Sequence, residues 1–208
     1  VLSLTNLTEA GTCYGAEQIS QLTAVARDYG LGVHMDGARF ANALVTAAAS
    51  PAALSWGAGV DILTLGTTKS GSLGVEVIVS FNPKYNQALG FIRKRSGHLA
   101  PKSRFLAAQI SAYIDDELWK RNAAAANAAA RRLGAGLQRI PGARLVHPVE
   151  GNEVFVELPE PIAEALSRAG CSFQRNWRPE PRHHRFVCSW ATTDAQVDAL
   201  LHVAALRG

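Results

Sequence analysis

No apolar run in this chain approaches the roughly 20 residues that a membrane span requires, so a transmembrane helix is excluded as a reading of the sequence. Cysteine is scarce. Cys13, Cys171 and Cys188 are an odd number with no metal-ligand spacing, which speaks against a disulfide framework or a zinc site and for reduced thiols. Charge of one sign is hardly in excess: 21 Lys and Arg against 17 Asp and Glu leave a formal +4. Basic residues are scattered among acidic ones apart from residues 175–185, so the sequence carries no nucleic-acid footprint. No internal repeat is visible. The first residues do not read as a signal peptide, and these absences together lead to the expectation of a cytoplasmic protein with no nucleic-acid or membrane partner.

What the sequence does have is material for a core. Apolar residues make up 48% of the 208 and charged ones 18%, which suits a packed fold and excludes wholesale disorder. The length fits one ordinary domain, or one domain with a small appendage. Residues 1–6 read as a buried strand with no turn before it, and the expectation is that an N-terminal part is missing in front. Glu9-Ala10-Gly11-Thr12 supplies a turn. Over residues 16–29, Ile19, Leu22, Val25 and Ala26 recur at helical spacing until Gly30 stops the run. Gly32-Val33-His34-Met35 then reads as a strand ending at Asp36, completing a strand–helix–strand unit.

Residues 40–49 form a small-residue helix, and Ser50-Pro51 predicts a second short helix by cap-then-proline chemistry. Residues 61–65 and 76–81 read as strands, 84–95 and 102–117 as helices. Residues 118–137 hold alanine at 123–126 and 128–130 and predict a long helix. After Pro141-Gly142, the pattern gives strands at 144–147 and 153–158 and a helix at 162–169. A strand at 186–190 and a helix at 193–206 close the chain.

Two of these strands end in chemistry. Asp36 closes one, and the strand at 61–65 runs into Gly66-Thr67-Thr68-Lys69, so a carboxylate and an amine 33 residues apart both lie at carboxyl ends of strands. That edge of an open parallel α/β sheet is where ligands bind. A carboxylate, a guanidinium (Arg39) and a lysine held together suit pyridoxal 5'-phosphate (PLP). The amine forms a Schiff base with the aldehyde, and the acid keeps the pyridine nitrogen protonated so that the ring serves as an electron sink. Glycines and hydroxyls around Lys69 let the backbone turn tightly and offer donors to a phosphate. A Walker loop needs glycine directly before its lysine, and here that residue is Thr68. The plainer alternatives are an exposed loop lysine and a solvent-facing turn aspartate before Gly37. His183-His184, adjacent and without carboxylates, are poor ligands for one metal ion and read as solvated. Trp56, Trp119, Trp177 and Trp190 read as core or interface anchors rather than cofactor-stacking partners.

HMDGARFANA at 34–43 followed by LGTTKSG at 65–71 resembles the low-specificity threonine aldolases and β-eliminating lyases, PLP enzymes of the aspartate-aminotransferase-like type. The Glu-Ala-Gly-Thr turn extends the resemblance. It implies an α/β fold, a partial PLP-dependent transferase-like (fold type I) large-domain sheet at residues 1–135 and a small α+β C-terminal domain at 136–208. It implies that Lys69 is the Schiff-base lysine, that Asp36 partners the pyridine nitrogen, that Ala38 packs against the ring, and that Thr68 and Arg39 also bind the cofactor. Arg39 and Arg185 would clamp the substrate carboxylate, Arg185 otherwise being a surface arginine. Lys102 and Arg104 stand where related enzymes place basic residues near the cofactor. The activity implied is cleavage of L-threonine or L-allo-threonine to glycine and an aldehyde, in a homodimer or homotetramer acting on a small amino-acid substrate. The alternatives are β-elimination from another amino acid, or an inactive relative acting as a binding or assembly partner.

Overall fold

The computed structural model describes residues 1–177 and 182–206. The chain divides into two compact units, residues 1–6 with 14–120, and residues 7–13 with 121–208. Among the described residues, no helix is long and apolar enough to cross a membrane.

The first unit is built on a four-stranded sheet of order β1-β2-β3-β4, from β1 (Leu2–Thr5), β2 (Val33–Gly37), β3 (Ile62–Gly66) and β4 (Glu76–Ser80). Helix α1 (Ala16–Asp28) links β1 to its parallel neighbour β2, as the sequence predicts. Gly30 ends the helix at φ +65, with its N–H and that of Leu31 donating to the carbonyls of Arg27 and Ala26. Helix α2 (Phe40–Ala47) follows β2, and β3 again pairs parallel. Alternation along the strands sends Leu4, Val33, Met35, Leu63 and Leu65 into a core with Ile19, Phe40, Leu44 and Leu54. The opposite face carries Ser3, His34, Asp36 and Thr64, none of them fully buried.

The sheet departs from a purely parallel one at β4, which runs antiparallel to β3. Only nine residues separate them, with a single 3-10 turn at Thr68–Ser70. That connection is too short for the crossover a parallel neighbour requires. The short helix expected at Ser50-Pro51 is replaced by turns and one 3-10 turn at Trp56–Ala58. Gly59 at φ +95 redirects the chain there, which a continuing helix forbids. Helices α3 (Asn86–Arg95) and α4 (Arg104–Ile114) follow, two residues shorter at their starts than the pattern suggested, and Asp116 at φ 52 breaks α4 from α5 (Leu118–Leu137). Helix α3 buries no residue and α4 buries only Tyr113.

The second unit holds β5 (Arg144–Leu145), β6 (Glu153–Glu157) and β7 (His183–Val187) as an antiparallel sheet of that order, with α6 (Glu160–Arg168) and α7 (Asp194–Ala205). Its core joins Ala130, Leu133 and Leu137 of α5 to Val154, Val156, Leu158, Ile162, Leu166, Phe186 and Val197. The alanine-rich helix allows close approach: a side chain at Gly136 would meet Leu201 at 2.3 Å. Thr193 caps α7 reciprocally with Gln196.

Two expectations change in this unit. The last strand spans 183–187 instead of 186–190, because Phe155 pairs with Arg185 and Val154 with Phe186. Alternation then turns His184 toward the core with Phe186, fully buried and edge-on to Phe173 at 5.5 Å, so the reading of both histidines as solvated is wrong for His184. Of the tryptophans, Trp119 is buried, whereas Trp56 and Trp190 are about half exposed. Part of the basic stretch at 175–185, residues 178–181, lies outside the described residues.

Candidate active site

Parallel pairing of β2 with β3 brings the two motifs side by side. Asp36 sits opposite Thr64 in register, and Gly37 opposite Leu65. The Asp36 side chain accepts a hydrogen bond from the Ala38 N–H at 2.9 Å, which fixes the carboxylate at the start of the turn into α2. Gly37 is buried, and a Cβ there would stand 2.8 Å from the Thr64 carbonyl. Gly66 is held the same way: its Cβ would lie 2.7 Å from Ala38 Cα. The strand that leads to Lys69 therefore closes against the turn that carries Asp36 and Ala38, and glycine is required at that contact. Arg39 occupies the residue before α2 and is half-buried.

Two residues beyond Gly66, a one-turn 3-10 segment begins that presents Thr68 and Lys69 to solvent, with Thr67 and Ser70 buried on either side. The turn is tied down from within. Thr67 Oγ1 bonds the Val75 carbonyl and the Ser72 hydroxyl, and Ser70 Oγ bonds the Tyr113 hydroxyl of α4. Burial raises the Tyr113 phenol above its ordinary value, opposed by the Ser70 hydrogen bond and assisted by Glu76. The Leu73 N–H donates to Gln109 at 3.0 Å, a second tie to α4. Thr68, expected to offer its hydroxyl to a phosphate, donates it to Glu76 at 3.1 Å.

Several participants were not singled out from the sequence. His34 lies on the same strand face as Asp36, two residues before it, with Nδ1 at 2.8 Å from Ser3 Oγ and Nε2 at 3.4 Å from Thr64 Oγ1. The two-residue spacing on β2 was the available signal. Tyr113 and Gln109 have no sequence signal, since nothing local announces that α4 returns to the turn. Lys102 and Arg104 are exposed, with Lys102 at φ 58 just before α4.

Arg185 belongs to the second unit. Its Nε donates to Glu153 Oε1 at 2.7 Å and its Nη2 to the same oxygen. The guanidinium carbon lies 4.7 Å from the centre of the Trp177 ring. The Glu153 side chain is 2% exposed and that of Arg185 20%, so this is an inward-facing ion pair, different from the surface arginine that was the plainer reading. Among the described residues, no group of three or more His, Cys, Asp or Glu is arranged to hold a metal.

The beta-eliminating lyase family model matches residues 1–161. A low specificity L-threonine aldolase of Pseudomonas aeruginosa is 42% identical over 200 residues, covering 96% of this chain and 57% of the relative. A low specificity L-threonine aldolase of a Pseudomonas sp. strain is 40% identical with the same coverage. The solved structure of a Leishmania major threonine aldolase matches at TM-score 0.88 and 25% identity, over 97% of this chain and 59% of that one. The chain thus spans a little over half the length of the relatives it matches. The α/β architecture with its mixed sheet is that of the PLP-dependent fold type I enzymes, a partial large domain followed by a smaller α+β part.

Proposed function

From the premise that this chain belongs to the beta-eliminating lyase family, we propose that the protein is a PLP-dependent carbon–carbon lyase. It cleaves L-threonine and L-allo-threonine to glycine and acetaldehyde. The observation that carries the reading is the juxtaposition at the ends of β2 and β3. Asp36 lies near the end of β2, Lys69 follows its parallel neighbour β3, and Gly66 is packed onto Ala38. Their surroundings fit PLP: an exposed amine, a fixed carboxylate, the small Ala38 next to that carboxylate, and a turn rich in hydroxyls.

PLP, when bound, supplies the sink for the electron pair left on Cα as the Cα–Cβ bond breaks. Lys69 would hold the cofactor aldehyde through its amine. Asp36 holds the proton on the pyridine nitrogen, its carboxylate favouring the charged ring. Ala38 leaves room for a flat ring, and Arg39 and Thr68 complete the cofactor contacts. Arg39 would bind the substrate carboxylate, which would fix the bond at Cα that is cleaved. In this reading residues 1–135 are the later part of the cofactor-binding domain and 136–208 the small C-terminal domain. The protein works as a cytoplasmic homodimer or homotetramer; the exposed Leu73, Phe91 and Phe105 support assembly.

The family description keeps β-elimination from another amino acid as a second reading. Assay of threonine against cysteine and tyrosine separates the two. Titration with PLP tests both, since a chain acting only as a binding or assembly partner takes up no cofactor. The decisive experiment is Lys69→Ala. The visible absorbance of lysine-bound PLP should disappear, and its persistence in that variant rejects the assignment.

A further inference from the structure

We infer that Tyr113, with Gln109, positions the turn that carries Lys69 and so sets the protein's affinity for PLP; this rests on the reading of Lys69 given under Proposed function. Every residue involved belongs to the first unit. Lys69 is the middle residue of the single 3-10 turn Thr68–Ser70, which is too short to hold its own backbone through a helical ladder. Gly71 follows at φ +125, a residue that by itself restrains the chain least. Side chains fix the turn instead. Thr67 Oγ1 donates to the Val75 carbonyl and closes the loop on itself. Two further ties come from α4: Ser70 Oγ meets the Tyr113 hydroxyl, and the Leu73 N–H donates to Gln109 Oε1 at 3.0 Å. Gln109 and Tyr113 are one helical turn apart and share a face of α4. They grip the loop on both sides of Gly71, starting at the residue directly after Lys69.

Packing alone does not call for this phenol. Tyr113 is the one residue that α4 buries, and a plain ring would fill the same space. Its hydroxyl meets that of Ser70, itself buried, and burial keeps the phenol protonated at neutral pH. Ser70 Oγ also stands 3.5 Å from the Thr67 carbonyl. When Ser70 donates there, Tyr113 donates to Ser70, and the restraint spans the residues on both sides of Lys69. The Lys69 side chain is exposed, so the placement of its amine depends on how firmly its backbone is held. A backbone fixed before the cofactor arrives loses less freedom when the bond to the amine forms.

The test compares the protein before and after PLP is added. Tyr113→Phe keeps the ring and should weaken PLP binding about fivefold to tenfold, read by titrating the visible absorbance of lysine-bound PLP. Before PLP is added, the Ser70 and Ser72 amides, which donate to the Thr67 carbonyl at 3.1 and 3.3 Å, should exchange with deuterium faster in the variant. Ser70→Ala should do the same. The double variant should bind PLP no worse than either single one, because the two hydroxyls act as a pair. Gln109→Leu should weaken binding about threefold. Unchanged PLP affinity in a folded Tyr113→Phe protein overturns the inference, also when its urea midpoint falls, since the hydroxyl then serves stability alone. So does weaker binding with unchanged amide exchange, which acts by a route other than the turn, and so do additive losses in the double variant. If Tyr113→Phe does not fold, Ser70→Ala decides by the same two readouts. Failure of the underlying reading looks different. Absorbance that persists in Lys69→Ala rejects Lys69 and the inference with it, whereas absorbance lost there beside a neutral Tyr113→Phe removes only the positioning role.

Discussion

In the first unit, Asp36 and Lys69 stand at the end of a sheet with one apolar face and one polar face, and Lys69 and Thr68 are exposed. In the second, β6 is covered on both sides, and the polar residues of the strand pair, Glu153, His184 and Arg185, are locked among neighbours. Burial on one face leaves side chains of the other free to meet a ligand. Burial on both obliges every polar group to find a partner or remain neutral. The first unit carries a further contrast within itself: Met35 and Ile19 are fully buried, whereas α3 and α4 expose Phe91 and Phe105.

The largest break in that comparison should come from removing one partner of the inward-facing ion pair. Glu153→Ala leaves a half-enclosed guanidinium uncompensated and should cost about 3–5 kcal/mol of unfolding free energy, read by urea denaturation. Asp36→Ala, at the one-sided sheet, should cost little stability and abolish PLP binding, read by cofactor titration. An Asp36→Ala protein that takes up PLP as the parent does removes the contrast.

Truncating apolar side chains sharpens it. Leu166, with no exposed surface, should lose about 2–5 kcal/mol on Leu166→Ala. Phe105, 62% exposed, should change stability by only about 0.5 kcal/mol on Phe105→Ala. A large loss at Phe105 in purified protein would place that side chain in an assembly interface, and dilution of the sample would reveal it as a concentration-dependent midpoint.

The smallest effect concerns His184. Burial holds its imidazole below the ordinary value; Arg175 and His183 add to this and Glu160 opposes it. The unfolded chain therefore binds the proton more readily than the native one, so stability is full above pH 6.5 and falls as the pH drops through that value. Urea midpoints at pH 7.5 and 5.5 should differ more for the parent than for His184→Leu. Equal differences reject this origin of the acid sensitivity.

Much of the fold and the first half of the candidate site are legible in the residues. The helical spacing of Ile19, Leu22 and Ala26, the stop at Gly30, and the apolar runs ending at Asp36 and Gly66 are local patterns, and local patterns survive without knowledge of neighbours. The direction of β4 was not legible, because it depends on the length and path of a connection that contains no helix. Nor was the register of β7, which slid from 186–190 to 183–187. A run such as HHRFVCSW offers several alternations, and pairing with β6 chose the one that buries His184 and Phe186.

The sequence by itself determined which groups stand at the strand ends: the amine of Lys69, the carboxylate of Asp36 and the small residues that let two strand ends close. Side-chain type and spacing are properties of the covalent chain. Only the tertiary structure decided the partners. It set Glu153 against Arg185, Tyr113 against Ser70 and Gly66 against Ala38, since a contact between distant residues follows from strand pairing and packing, which no local stretch encodes.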